Sequence, residues 1–346
     1  MAAQSNQPHH DAAPYSDVVM SCRVRLARNL AGFPFVSRAS EAQLQEILHL
    51  AKPVLLRDEL ATGMIWVDLN KSTLGDRRLL FERHLISKHQ AEAEIRRAVA
   101  VSGDEALSVM VNEEDHLRMQ MMSPGMQLAK VFEQLNAVDD AIEAKVDYAF
   151  SPRWGYLTAC PTNVGTGIRF SVMMHLPALK ITNEIEKVRR AARDLHLAVR
   201  GYYGEGSESA GDFYQISNQV TLGRSEKEIL EEFQTVIVPR IIEYEHQSRR
   251  VLVERNCTLL DDRVHRALGI LRTARLLGAE EAMKLLSRVC LGVHTGRLPD
   301  VNISAVTDLF LLVQAAHLKL HAGAELSPDQ LREARATLIR QRLGSP

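Results

Sequence analysis

Val111-Asn112-Glu113-Glu114-Asp115-His116-Leu117-Arg118 decides how the rest of this chain is read. Three consecutive carboxylates, a histidine and an arginine follow an apolar lead-in, Leu107 to Val111. Carboxylates so crowded repel one another, so a segment that only packs gains little from them. A site that must hold a cation while taking its proton gains a great deal, and Arg118 adds an anion-binding group at the other end. The apolar flanks, 107–111 and 117–122, predict a pair of strands around the acids. Continued as a strand, the segment puts Glu114, His116 and Arg118 on one face, with Glu114 and Arg118 about 13 Å apart. Wound as a helix it would make that pair neighbours that simply salt-bridge. The strand is preferred because both flanks are apolar and turn-bounded. A solvated charge run is the competing reading of this segment alone.

The composition sets wide bounds. A chain of 346 residues can bury a substantial core and has the length of two domains. Hydrophobic content of 46% and charged content of 25% are those of an ordinary globular protein. A net charge of −1 gives no long-range pull toward nucleic acid or membrane. No apolar run approaches the roughly 20 residues that span a bilayer. Residues 1–17 are polar, lack the basic and apolar regions of a secretory signal, and are expected to form a flexible tail in which His9-His10 is solvated. Cys22, Cys160, Cys257 and Cys290 are widely spaced with no CxxC pair. That argues against a zinc site or a disulfide framework, no metal site is expected, and a reducing cytoplasm fits. Of 42 basic residues, 10 are lysine and 32 arginine, a bias that codon composition explains, so any functional use of arginine must rest on particular positions.

Periodicity predicts helices over 40–56, 87–101 (Ser87 with Gln90 as a capping box), 125–145 and 183–198. It predicts strands over 64–69, 156–160, 169–176 and 213–222. From Ser225, capped by Glu228, a long helix runs toward Arg255. Helices then follow over 261–277, 279–291, 304–320 and 328–342, the last opened by Ser327-Pro328. The expected class is therefore α+β. A mixed unit of helices and strands over 18–235 is followed by a small all-helical domain over 236–346.

Three further segments carry chemistry. In Ser21-Cys22-Arg23-Val24-Arg25-Leu26-Ala27-Arg28-Asn29, alternation puts Arg23 and Arg25 on one strand face. They repel unless an anion lies between them, and a polyphosphate fits, each fork donating two parallel hydrogen bonds. An exposed basic strand is the alternative. Cys160-Pro161-Thr162-Asn163-Val164-Gly165-Thr166-Gly167-Ile168-Arg169 is too short in glycine pattern for a dinucleotide or Walker motif. Its glycines permit tight turns, and Cys160 beside a cation could be a thiolate; taken alone it reads as a small buried hydrophobe. Val199-Arg200-Gly201-Tyr202-Tyr203-Gly204-Glu205-Gly206-Ser207-Glu208 is a pliable loop that could close over a substrate, or an ordinary surface loop.

Taken together, SCRVRLARN, NEEDHLR, CPTNVGTGIRFSV and VRGYYGEGSE resemble the phosphagen kinases, the guanidino phosphotransferases, from about Ser21 to Leu222. The metabolic members carry a small helical domain before the first arginine motif and no helical unit like 250–346. The arrangement here resembles the bacterial protein-arginine kinases of the McsB type. The resemblance implies a phosphagen-kinase catalytic domain and transfer of the γ-phosphate of MgATP to arginine guanidinium groups of proteins. Glu114 is then the base, Glu205 the second carboxylate clamping the substrate, and Cys160 lies against the guanidinium. Ser21, Cys22, Arg23, Val24 and Arg25 would line the nucleotide site, as would Arg118, Arg169, Phe170, Ser171, Val172 and Met173. Arg200, Gly201, Tyr202, Tyr203 and Gly204 complete it, with Arg78 standing more loosely for a nucleotide-contacting histidine. An Arg-Asp-x-x-Arg-Ala motif forms a phosphoarginine receptor in that group. Here Leu331-Arg332 replaces its Arg-Asp, so Arg332, Glu333 and Arg335 only partly match. The implied partners are protein substrates with exposed arginines, a zinc-binding activator protein, a heat-shock repressor and a Clp protease, with marked proteins degraded under stress. No membrane or nucleic-acid partner is expected, and a homo-oligomer stays open. Two rivals remain: a kinase of free arginine or another small guanidino compound, and a non-catalytic adaptor that uses the helical C-terminal domain.

Overall fold

The computed structural model describes residues 13–202 and 210–344. Its frame is an eight-stranded sheet made by β1 (Val19–Arg28), β2 (Ile65–Asp68), β3 (Ala98–Val101), β4 (Leu107–Val111), β5 (Leu117–Pro124), β8 (Ile168–His175), β9 (Leu197–Arg200) and β10 (Phe213–Asn218), with β6 (Phe150–Ser151) and β7 (Gly155–Tyr156) as a separate ribbon. The strand order is β2-β3-β4-β5-β1-β8-β10-β9, and the β2–β3, β3–β4, β4–β5 and β1–β5 pairs are antiparallel. Helices α1 (Glu41–Leu55), α2 (Leu74–Glu82), α3 (Lys88–Glu92), α4 (Leu128–Glu143), α5 (Pro177–Ile181), α6 (Ile185–Asp194) and α7 (Glu226–Glu232) are interleaved with the strands. The C-terminal part is helical: α8 (Val238–Arg255), α9 (Cys257–Thr273), α10 (Ala279–His294), α11 (Ile303–Leu312), α12 (Ala315–Ala322) and α13 (Pro328–Leu343). This is the α+β class expected. The described residues fall into two compact units, Ser21–Val172 with Ser217–Ile237, and 13–20, 173–202, 210–216 with 238–344.

The first unit is built on period-2 alternation. Cys22, Val24 and Leu26 of β1, Leu117, Met119 and Met121 of β5, and Ile168, Phe170 and Val172 of β8 are all buried, and Phe132 of α4 meets the Phe170 ring edge-on at 5.6 Å. Residues of the opposite parity, Arg23, Arg25, Arg118 and Arg169, are thereby turned to the other face. The second unit has its own core, in which Leu260, Val264 and Leu271 of α9 pack with Leu286, Val289 and Cys290 of α10, and with Leu309 and Ile339.

Five expected elements change. The helix over 87–101 stops at Glu92, and Ala98–Val101 becomes a strand. Ala-Val-Ala-Val is buried throughout and paired on both sides, by β2 and β4, a setting that suits small and β-branched residues. The capping box forms only by half. Ser87 accepts from the Gln90 backbone, but the Gln90 amide donates to the carbonyls of Ala98 and Val111 instead. Of the strand over 156–160 only Tyr156 is paired in a strand, as the end of β7. The helix over 183–198 ends at Asp194, and Leu197 opens β9.

The long helix toward Arg255 is interrupted by a π turn at Phe233–Ile237, just before Pro239. That proline has no N–H to give the previous turn, and the wider turn absorbs the gap. The helix over 304–320 bends by 94° between α11 and α12, where Gln314 is extended. Side chains take over the freed carbonyls: Arg335 Nε donates to Val313 (2.8 Å) and Gln314 Nε2 to Phe310 (2.9 Å).

Arg335 also donates to the Leu277 carbonyl at 2.8 Å while only 4% exposed. Replacing it by Met strands two buried carbonyls. Arg335→Met is expected to lower stability by about 2–4 kcal/mol in urea unfolding; an unchanged midpoint would show that these two caps contribute nothing.

Candidate active site

The acidic segment is not a strand. Asn112 adopts φ +56, its N–H reaches the His116 carbonyl at 2.9 Å, and Glu113 N reaches the Asp115 carbonyl at 3.1 Å. Residues 112–116 therefore form a tight loop between β4 and β5, braced where the Asn112 amide donates to the carbonyls of Leu44 (2.9 Å) and Arg96 (3.0 Å). The charged ends of Glu114 and Arg118 lie 3.6 Å apart, against the wide separation an extended segment would give. Asparagine tolerates the left-handed conformation that turns the chain here.

The loop gives its acids three different environments. Glu113 is buried and accepts from Arg118 Nη1 (2.7 Å), Ser87 Oγ (2.5 Å) and the Glu114 N–H (2.7 Å). Burial alone would raise its pKa, but Arg118, Ser87 and that N–H bring it down to about 2. Asp115 is fully buried, and burial pushes its pKa up against the opposing hydrogen bonds from Ala159 and Asn29. Glu114 stands at the loop's exposed tip, its side chain 45% accessible. His116 is a neutral brace: its Nδ1 accepts from Leu30 N (2.9 Å), its Nε2 donates to the Pro34 carbonyl (2.9 Å), and burial lowers its pKa.

Asn29, the last residue of the arginine-bearing motif, ties this loop to the one carrying Cys160. Its Oδ1 accepts from His116 N (2.9 Å), and its Nδ2 donates to Asp115 Oδ1 (2.7 Å) and to the Leu157 carbonyl (3.0 Å). Asp115 Oδ1 also accepts from Ala159 N at 2.7 Å. Cys160 follows, half-buried, with its Sγ 3.0 Å from Thr162 Oγ1. Sequence reasoning missed Asn29 and Asp115 as organisers. The only sign was that two more polar residues close motifs already rich in charge.

The arginines share a face. Arg23, Arg25 and Ala27 lie opposite Met122, Gln120 and Arg118 on β5. On the other side Ala27 N donates to the Gly167 carbonyl (3.0 Å) and Ser171 Oγ to the Arg23 carbonyl (3.2 Å), which sets Arg169 level with Arg25. Arg23, Arg25, Arg118 and Arg169 thus share one face of the sheet, and Arg118 lies beside Glu114. Ser21 and Ser171 have the same parity. Cys22, Val24, Phe170 and Val172 point into the core, so only their backbone can serve a ligand. His84, unremarked in the sequence, belongs here: burial, and then Arg23 beside it, push its pKa down to about 4. Its signal was the Arg83-His84 pair ending α2 with a positive φ at His84. Arg78 is exposed on α2.

Arg28 has the core-facing parity of Cys22, Val24 and Leu26 and does a different job. It is 1% exposed, paired with Asp139 at 2.6 Å, lies 3.5 Å over the Tyr156 ring and donates to the Thr166 carbonyl (2.9 Å). Gly167, at φ +67, makes room for it: a Cβ there would lie 2.6 Å from Arg28 Nη1.

In the second unit Arg200 ends β9, Gly201 follows, and the Tyr202 ring packs against Phe213 at 5.3 Å. Met173 packs on that unit's core. Tyr203, Gly204 and the expected carboxylate Glu205 lie outside the described residues. Arg332 is exposed and pairs with Asp329 at 3.7 Å, and Glu333 is exposed, whereas Arg335 is committed to two carbonyls. Among the described residues no three His, Cys, Asp or Glu side chains cluster as metal ligands, and no single helix is long and apolar enough to cross a membrane.

Residues 54–248 match the family model of the ATP:guanido phosphotransferase C-terminal catalytic domain, and residues 258–346 that of the protein-arginine kinase McsB C-terminal domain. The chain is 45% identical over 335 residues to a protein-arginine kinase of Symbiobacterium thermophilum, covering 96% of this chain and 95% of that one. Against the protein-arginine kinase of Geobacillus stearothermophilus it is 43% identical over 332 residues, covering 95% and 91%. Among solved structures, lombricine kinase superposes with a TM-score of 0.57 at 27% identity, over 70% of this chain and 68% of that one. The duplicated taurocyamine kinase of Schistosoma mansoni gives 0.62 at 29% identity, over 71% of this chain and 35% of that one. The chain therefore belongs to the ATP:guanido phosphotransferase family, among the protein-arginine kinases.

Proposed function

We propose that this protein transfers the γ-phosphoryl group of MgATP to the guanidinium of arginine side chains in proteins. The observation that carries the reading is the exposed Glu114 at the edge of a four-arginine sheet face, beside Arg118. A guanidinium holds its proton to a pKa above about 12 and is a poor nucleophile until a positioned base takes that proton. Glu113 is unsuited to this: its oxygens are engaged by Arg118, Ser87 and the Glu114 N–H, and its pKa near 2 makes it a weak base. It serves as the anchor of Arg118. Glu114, at the open tip, is the base, and Cys160 lies against the guanidinium.

The cationic face suits a polyphosphate. Guanidinium groups gathered on one face of β1, β5 and β8 offer forked donors that match phosphate oxygens. The magnesium ion enters with the nucleotide and adds to the neutralisation of phosphate charge. Phosphoryl transfer needs mainly alignment and charge neutralisation, which Arg23, Arg25, Arg118 and Arg169 supply, with His84 as a further group at this face. By the family likeness, Arg200, Gly201, Tyr202, Tyr203 and Gly204 also belong to the nucleotide site and Glu205 to the guanidinium clamp. Regulated degradation under stress in a reducing cytoplasm, with a zinc-binding activator, a heat-shock repressor and a Clp protease as partners, completes the reading. The departure at Leu331-Arg332, with Arg335 bound to carbonyls, speaks against a working phosphoarginine receptor at that motif.

Two tests follow. Glu114→Ala should cut turnover by about 10²–10⁴-fold with ATP affinity kept. Asp115→Asn, acting through the loops it joins, should lower kcat about tenfold at an ATP KM within about twofold, and shift the alkylation rate of Cys160. Near-normal turnover in Glu114→Ala removes the base assignment, and unchanged kcat with unchanged alkylation in Asp115→Asn removes the brace. For the acceptor, the protein is incubated with ATP and an unfolded arginine-rich protein, then mapped by mass spectrometry without acid, because the N–P bond is acid-labile. Phosphate on arginine is expected. Phosphate on serine alone, or on added free arginine alone, contradicts the reading.

A further inference from the structure

Helices α9 and α10 enclose a cleft of about 260 Å³ in the second unit. Arg263 and Arg266 face it from α9, and Lys284 and Arg288 from α10. Their spacings, i,i+3 and i,i+4, stack the cations in two rows across the groove. Asp262 is the one acid in the lining, and it is 3.7 Å from Arg266. Ala267, Ile270 and Leu285 complete the walls.

Arg288 is the built part of this surface. It is 8% exposed, held through Nη1 at 3.0 Å from Asp212, whose Oδ2 also accepts from Ser287 Oγ at 2.8 Å. The Arg288–Asp212 pair meets at ion-pair distance, yet among the described residues Nη1 lacks the alignment of a hydrogen bond. Burial disfavours the charged form, Arg263 adds like-charge repulsion, and Asp212 offsets only part of this. Asp262 and Asp212 are each set against one arginine, so among the described residues two of the four lining cations have no acidic partner. Arg263, Arg266 and Lys284 are exposed around the buried Arg288, so four cations line one surface.

We propose that this cleft binds a dianionic phosphoryl group, carried on a phosphorylated side chain or as the free ion. A phosphate oxygen cluster relieves the Arg263–Arg288 repulsion and accepts the paired donors of each fork. The cleft has room for a phosphoryl group with a short side chain attached. It lies on residues other than Arg332, Glu333 and Arg335, and it does not depend on the proposed kinase activity.

The test uses the full chain saturated with ADP in EDTA, so that the nucleotide site is filled and, without magnesium, no phosphoryl group passes back from a phosphorylated arginine to ADP. Calorimetry is run with inorganic phosphate, with an arginine-phosphorylated peptide, with the same peptide unphosphorylated, and with a glutamate-rich peptide. Phosphate and the phosphopeptide are expected to bind, and Arg263→Ala with Lys284→Ala, both at exposed positions, to weaken binding by about tenfold or more. ADP affinity should stay unchanged, which shows that the variant is folded. Tighter binding of the phosphopeptide than of free phosphate assigns the site to modified protein, and equal binding assigns it to the ion. No binding beyond the nucleotide site, equal binding by the variant, or equal binding of the glutamate-rich peptide overturns the proposal.

Discussion

One buried hydrogen bond, from the Asn29 amide to Asp115 at 2.7 Å, holds the candidate site together. Asn29 is 2% exposed and Asp115 is fully enclosed. A carboxylate without water needs its donors, and an amide in the same place needs an acceptor, so each fixes the other. Around this pair close the N–H of His116, the N–H of Ala159 and the carbonyl of Leu157. The 112–116 loop, the loop that carries Cys160 and the end of β1 are therefore tied to one another. Alignment is most of what phosphoryl transfer asks of a protein, and here alignment is delegated to groups that touch no phosphate.

The same residue types do opposite work a few positions apart. Strand parity turns Arg23 and Arg25 to one face of the sheet and Arg28 to the other, against Asp139 and Tyr156. Loop geometry does the same for the acids: Glu113 is locked as a counter-ion, Asp115 as a structural acceptor, and Glu114 is left accessible. In the second unit Arg335 caps carbonyls at a helix bend, while Arg263 and Arg288 crowd together across a cleft. Charge alone assigns no role; the side a residue faces, and whether its partners are already supplied, does.

Much of this was legible before any coordinates. The α+β class, the strand pair around the acids, the capped helices at Ser225 and Ser327, and the shared face of Arg23 and Arg25 follow from periodicity and capping residues. What stayed hidden depended on tertiary partners. Ala98–Val101 is helix-permissive by itself and becomes a strand because β2 and β4 pair with it. The bend before α12 needs Arg335, distant in sequence, to take the Val313 carbonyl. The acid segment reads as a strand by its flanks, and only the left-handed Asn112, held by Leu44 and Arg96, closes it into a loop. His84 gave no periodic signal because its role comes from lying beside Arg23.

The central claim is spatial: phosphates on the face of Arg23, Arg25, Arg118 and Arg169, guanidinium between Glu114 and Cys160. The most direct measurement is a crystal structure with MgADP, a planar anion in place of the transferred group, and an arginine-bearing peptide. The account predicts diphosphate oxygens within hydrogen-bond distance of those four guanidinium groups and the peptide's guanidinium against Glu114. Diphosphate bound elsewhere, or a peptide arginine seated away from the 112–116 loop, would contradict it.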